Sequence, residues 1–129
     1  MQTCTLAVDI GASSGRHIVG TVQNGKITLQ EVYRFENGVR RENGHLCWDI
    51  DTLAKEVVNG LKAAHDAGFA PATIGIDTWG VDYGLLDKNG QLLSNPRSYR
   101  YAVDEDMAEV WKTVDFPTLF ARTGIATMN

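Results

Sequence analysis

Ala7-Val-Asp-Ile-Gly-Ala-Ser-Ser-Gly-Arg16, running on into Ile18-Val-Gly-Thr-Val22, sets a carboxylate and a Gly/Ser turn between two apolar, β-prone segments. Strand-forming residues on both sides predict a turn that joins two antiparallel strands and does not open a helix. A Walker loop needs Gly-Lys-Ser/Thr at a helix start, and a dinucleotide fingerprint needs its third glycine inside one; this stretch has neither. Two readings of its chemistry stay open. In the first, Gly11 and Gly15 allow tight or positive backbone dihedrals, so the amides of Ala12, Ser13 and Ser14, with the two hydroxyls, converge on an anion. Arg16 then adds a planar cation, and Asp9 meets a hydrated Mg²⁺. In the second, Asp9 caps the amides of an ordinary hairpin and Arg16 is simply exposed.

Outward from this turn, Thr5, Ala7 and Asp9 alternate against Leu6, Val8 and Ile10, the pattern of a strand with one apolar face. A second strand is expected near His17 to Val22, and Asn24-Gly25 is a hairpin signal before a third through Ile27, Leu29, Val32, Tyr33 and Phe35. The apolar register slips between Leu29 and Val32. Asn37-Gly38 and Asn43-Gly44 bracket the charged stretch Val39 to Glu42, read as a surface loop or small flap, with His45 to Trp48 as a short extended piece. Asp49 or Asp51 can cap a helix in which Leu53, Val57, Val58, Leu61 and Ala64 recur at helical spacing, ended by Gly68.

Pro71 opens a new unit, and Thr73-Ile-Gly-Ile-Asp77 reads as a buried strand. Val81 to Asp87 reads as a further strand, Lys88-Asn89-Gly90 as a turn and Leu92-Leu93 as its return. Helices are expected from Val103 to Val114, with Met107, Val110, Trp111 and Val114 on one side, and from Pro117 to Arg122, stopped by Gly124. A meander, then a crossover helix, then another strand predicts the α/β class with a mixed sheet and flanking helices.

The composition narrows the function. The chain has 129 residues, 43% of them hydrophobic, enough for one domain with a real core. A net charge of -4 argues against nucleic acid as a partner, and the basic pair Arg40-Arg41 is followed at once by Glu42. No apolar run approaches the ~20 residues that cross a bilayer, and the N-terminus enters a strand pattern without a signal-peptide profile, so no membrane partner and a cytoplasmic location are expected. Cys4 and Cys47 stand far apart, as free thiols do, and His17, His45 and His65 are too dispersed to be given a role.

Ile74-Gly-Ile-Asp-Thr-Trp-Gly-Val-Asp-Tyr83 repeats the opening theme, a strand ending in aspartate followed by a turn with glycine. Ligands of open α/β sheets collect beyond the carboxyl ends of strands, so Asp9 and Asp77 can share the rim of one cleft. Trp79 offers a flat face to a sugar ring, Asp77 and Asp82 can accept from hydroxyls, and Gly80 allows close approach. Trp79 is equally well a packing aromatic, and the two aspartates turn formers. Trp48-Asp49 reads either as lining of the same cleft or as an apolar anchor before a helix cap.

With Arg34-Phe-Glu-Asn-Gly38 and Trp48-Asp-Ile-Asp51, the two aspartate stretches resemble the N-terminal part of the rhamnulokinases, sugar kinases of the FGGY group. The Asp-Gly-Ser hairpin alone fits any actin-like, Hsp70-like or hexokinase-like ATPase; the Asp-Thr-Trp-Gly-Val-Asp run narrows it. The resemblance implies a ribonuclease-H-like (actin-like ATPase) fold in two α/β domains, with ATP and sugar meeting between them. It also implies transfer of the γ-phosphoryl group of ATP to the 1-hydroxyl of L-rhamnulose with Mg²⁺. Ala12, Ser13, Ser14, Gly15 and Arg16 would wrap the ATP phosphates, Asp9 would hold the metal through water, Gly80 would contact the ketose, and Trp79, Asp77 and Asp82 would shape its pocket. Residues 1–129 would be a truncated part of the first domain, with the general base and the adenosine-binding glycine motif beyond residue 129 and no turnover by this piece alone. The missing C-terminal domain would be its partner. Relatives carry an acidic residue after the pair matched by Tyr99-Arg100, where this chain has Tyr101. A nucleotide-dependent actin-like or chaperone-like interaction module and a stand-alone sugar-binding domain are the alternatives.

Overall fold

The alternation around Asp9 is realised as strand β1 (Gln2–Ile10), in which Cys4, Leu6, Val8 and Ile10 are all buried. The structure is a computed structural model describing residues 1–100 and 104–126, and it divides into two compact units, Met1–Ser98 and Tyr99–Asn129. In the first unit β2 (Ser14–Gln23) runs antiparallel to β1, and β3 (Lys26–Glu36) antiparallel to β2. Asn24 and Gly25, with φ of 51° and 75°, make the left-handed two-residue turn that the Asn-Gly pair favours. The expected slip is a bulge: His17 faces Tyr33 while Ile18 faces Glu31, which leaves Val32 as the extra residue.

Val39 to Glu42, expected as a surface loop or small flap, is a strand of such a flap. Asn43 and Gly44, at φ 50° and 85°, form a second left-handed turn that folds β4 (Val39–Glu42) onto β5 (His45–Trp48) as a separate two-stranded ribbon. Helix α1 (Ile50–Asp66) starts where the Asp49 carboxylate accepts from the Thr52 amide, and it ends at Ala67 with Gly68 at φ 87° just beyond. Strand β6 (Phe69–Thr78) returns parallel to β1 and completes a four-stranded sheet ordered β3-β2-β1-β6. Pro71 is tolerated within β6 because the strand is an edge, where a missing N–H costs no ladder bond.

The core lies between this sheet and α1, with Leu53, Val57, Leu61 and Ala64 set against Leu6, Val8, Val19 and Phe35. Each fully buried aliphatic side chain contributes about 1.5–3 kcal/mol. Val58 falls off the stripe and is 48% exposed, since 3.6 residues per turn carry the inward face from 57 to 60 and 61. Gly60 occupies that inward position, and a Cβ there would come within 2.2 Å of the His17 ring. His17 is fully buried, edge-on to Tyr33, with no hydrogen-bond partner for either ring nitrogen. Burial pushes its imidazole below the usual pKa, outweighing the nearby Val57 backbone and the Glu56 carboxylate, which both favour the charged form.

Two expected strands differ in the structure, and of the tight or positive dihedrals open to Gly11 and Gly15 one alternative falls away. Thr73–Asp77 is a strand but not a buried one: Ile74 and Ile76 are 47% and 57% exposed, because β6 has no neighbour on its outer side among the described residues. Val81 to Asp87 forms no strand; only Leu86 bridges Leu92, around a turn in which the Asp87 carboxylate accepts from the amides of Asn89 and Gln91. Gly11 and Gly15 do not adopt positive φ. Both are instead required by close approach: a Cβ on Gly11 would lie 2.9 Å from the Ser14 carbonyl oxygen, and one on Gly15 would enter the Phe35 ring at 2.1 Å.

In the second unit α2 (Asp104–Thr113) precedes α3 (Phe116–Thr123), which is capped by the Asp115 carboxylate and closed by Gly124 at φ 69°. Phe116 packs edge-on against Trp111 and tilted against Phe120. Tyr101, the expected helix start at Val103 and the last three residues lie outside the described residues. Cys4 and Cys47 are buried free thiols, and no described helix is long and apolar enough to cross a membrane.

Candidate functional site

The two aspartate motifs end on adjacent strands. In the parallel β1–β6 pairing Asp9 and Asp77 are register partners, so both strands deliver their carboxylates to the same end of the sheet. Asp9 also faces Arg16 across the β1–β2 ladder, and Arg16 Nε donates to Asp9 Oδ2 at 2.9 Å. Both side chains are nearly half exposed, so this pair contributes at most about 1 kcal/mol and exchanges readily. The other Asp9 oxygen has no partner among the described residues. Asp9 therefore does not cap the turn.

The turn is held from outside. The Gly11 amide donates to the Ser14 carbonyl at 2.9 Å, the Asn37 amide donates to the Ser13 carbonyl, and Asn37 Nδ2 donates to the Gly11 carbonyl at 2.8 Å. Carbonyls are thereby occupied, while the amides of Ala12 and Ser13 and the hydroxyls of Ser13 and Ser14 have no acceptor among the described residues. Unsatisfied donors gathered on one turn suit an anion. Ser14, Gly15 and Arg16 already belong to β2, so the turn itself is shorter than the motif. Locally Asn37 reads as half of an Asn-Gly turn; its bond across 26 residues carries no local signal.

Beyond β6 lies the second half of the site. A cavity of about 270 Å³ is lined by Ile10, Trp48, Leu53, Thr78, Trp79, Asp82 and Pro96, among others. Trp79 and Trp48 lie with ring centroids 4.2 Å apart, and both indole N–H groups donate to the same oxygen, Asp82 Oδ2, at 2.9 and 2.6 Å. Trp48 is buried and Trp79 half-buried against the core, so each packs as well as lines. Asp49 follows as the helix cap; the Thr52 amide and hydroxyl, with Arg40 at 2.6 Å, hold its carboxyl below the usual range. A second cavity of about 360 Å³ continues past Asp82 along Tyr83, Ser94, Asn95 and Arg97. Asn95 anchors that wall by accepting from the Ile50 amide and donating to Glu42.

Asp77 does not join this cavity. It is exposed and borders an open groove with Asp9, Ala7, Gly75 and Ile76. Gly80 faces open space, with nothing within 4 Å of where a Cβ would stand. Among the described residues no three His, Cys, Asp or Glu side chains converge on a metal site. The donor set fits a cation held by one carboxylate and several waters, as Mg²⁺ is, better than a protein-caged ion.

No protein-family model matches the chain. It is 49% identical over 126 residues to a rhamnulokinase from Oceanobacillus iheyensis, covering 97% of this chain and 27% of that one. A rhamnulokinase from Halalkalibacterium halodurans is 48% identical over 94% of this chain and 26% of its own length. The chain thus spans about a quarter of the curated relatives it matches. Among solved structures, a xylulose kinase and a gluconate kinase from Lactobacillus acidophilus superpose with TM-scores of 0.72 and 0.73 at 14% identity. They cover 93% and 95% of this chain against 24% and 25% of theirs.

Proposed function

The chain belongs with the rhamnulokinases of the FGGY sugar-kinase family, as a portion of such a kinase, and from that premise we propose that it forms the phosphate and sugar wall of the catalytic cleft. In this reading the parent protein transfers the γ-phosphoryl group of ATP to the 1-hydroxyl of L-rhamnulose. The observation that carries it is the register of Asp9 beside Asp77, which sets the phosphate turn and the indole-lined cavity at one end of one sheet.

Ala12, Ser13 and Ser14 offer donors to the phosphates, and Gly15 keeps the turn closed against Phe35. Arg16, released from Asp9, supplies a cation for the phosphate oxygens. Asp9 would hold Mg²⁺ through water, and that ion supplies neutralisation of phosphate charge. On the sugar side Trp79 presents an apolar face, Gly80 leaves room for close approach, and Asp82 borders the cavity, while Asp77 stays with Asp9 in the open groove beside it. The general base belongs to the remainder of the kinase, as does the second domain.

Calorimetric titration of L-rhamnulose and of Mg·ATP separately into the 129-residue chain tests this. Binding of each, with no rhamnulose-dependent ADP production in a coupled assay, is the expected result. Binding of Mg·ATP without L-rhamnulose would point instead to a nucleotide-dependent interaction module. Turnover by the chain alone would overturn the division of labour.

A further inference from the structure

We infer that Asp82 is a positioning residue that acts on the sugar side of the cleft through two indoles, locking Trp48 and Trp79 into one rigid wall. The inference deepens the sugar reading above and rests on it. The two donors come from different parts of the first unit, Trp48 from the end of β5 and Trp79 from the segment after β6, and a single carboxylate oxygen accepts from both. An indole nitrogen can only donate, so each ring's orientation is set by where its acceptor stands. A charged acceptor shortens and strengthens such bonds, and the 2.6 Å bond from Trp48 is short for N–H···O. The rings it joins are tilted 39° to one another at 4.2 Å, and both line the cavity beside Asp82.

The backbone bears the mark of this clamp. Val81, immediately before Asp82, has φ 72°, a left-handed conformation that a β-branched side chain resists. Such strain persists where the surroundings over-determine the position. Here Trp79 and Asp82 close a side-chain bridge three residues apart while Trp48 holds the same carboxylate from across the cavity. Gly80, which tolerates that conformation, does not take it; the turn is shaped by where Asp82 must stand.

The clamp is measured without sugar, in the full 129-residue chain. Trp48→Phe and Trp79→Phe assign the two indole N–H resonances, and Asp82→Asn should move both, since one carboxylate oxygen accepts from both. Asp82→Asn should lower the exciton couplet of the indole pair at least twofold while helical ellipticity is kept. Movement of only one resonance, movement of neither, or a couplet unchanged in Asp82→Asn would overturn the inference. With L-rhamnulose, Asp82→Asn and Trp48→Phe should each weaken binding about tenfold and the double variant hardly further, because both remove the same wall. Additive losses would make Asp82 a direct sugar contact and refute a purely positioning role. If the unaltered chain binds no L-rhamnulose while both indole resonances still move in Asp82→Asn, the sugar reading falls and the clamp stands.

Discussion

Strands β1 and β6 lie side by side in register, each apolar and each ending in aspartate, yet they live in different environments. Leu6 and Val8 are 0% and 1% exposed, while their register partners Ile74 and Ile76 are 47% and 57% exposed. Neighbouring strands of one sheet thus differ in what lies next to them: β1 has a strand on each side, and β6, although α1 also approaches it, has a strand on one side only among the described residues. The lesson is that an apolar strand pattern reports a capacity for burial, and position in the sheet decides whether it is used. The same contrast separates the two carboxylate anchors. Asp9 shares a half-exposed ion pair that a ligand can replace, whereas Asp82 is committed to two indole donors.

Truncation at matched positions separates the two strands most strongly. Leu6→Ala should destabilise by about 2–5 kcal/mol, and Ile74→Ala, opposite it, by less than about 1 kcal/mol, read from urea unfolding at constant slope. Equal losses would mean that β6 is covered. Gly60→Ala tests the covered side from the helix: alanine gains about 1 kcal/mol of helix propensity, but its Cβ meets the His17 ring at 2.2 Å, so a net loss of about 1–3 kcal/mol is expected.

A smaller effect follows from His17 under the same helix. Burial depresses its folded pKa below the unfolded value of about 6.5, so the folded state binds fewer protons, and stability rises with pH across the window just below that value. Denaturant midpoints should therefore fall from about pH 7 to about pH 5, and His17→Leu should flatten that slope. The smallest effect belongs to the rim. Asp9→Asn should change stability by less than about 1 kcal/mol while weakening Mg·ATP binding; a large stability loss would show that the Asp9–Arg16 pair is structural.

Much of this architecture was legible in residue order. The meander, the bulge at Val32, the cap at Asp49 and the Gly68 stop all follow from local signals, alternation, Asn-Gly turns and capping chemistry, which act over a few residues. The misreadings have one origin. Whether Thr73–Asp77 is buried, whether Val81–Asp87 finds a strand partner and why Gly15 must be glycine depend on residues far away in sequence: the empty side of β6, the lone Leu86–Leu92 bridge and the Phe35 ring. In the candidate site, residue type and spacing point to Asp9, Arg16, Trp79 and Asp82 as candidates. Trp48 reads equally as lining or anchor, and Asn37 and Asn95 give no local signal, because their decisive bonds span 34, 26 and 45 residues.

Asn37 carries a kinetic consequence. Its two bonds to the Ser13 and Gly11 carbonyls fasten the turn between β1 and β2 to the end of β3 before any ligand arrives. In the proposed role, a triphosphate meeting that turn has no chain closure to wait for, so its association rate should be set by encounter and charge steering, and sensitive to salt. Asn37→Ala, by letting the turn wander, would then show itself first as slower capture.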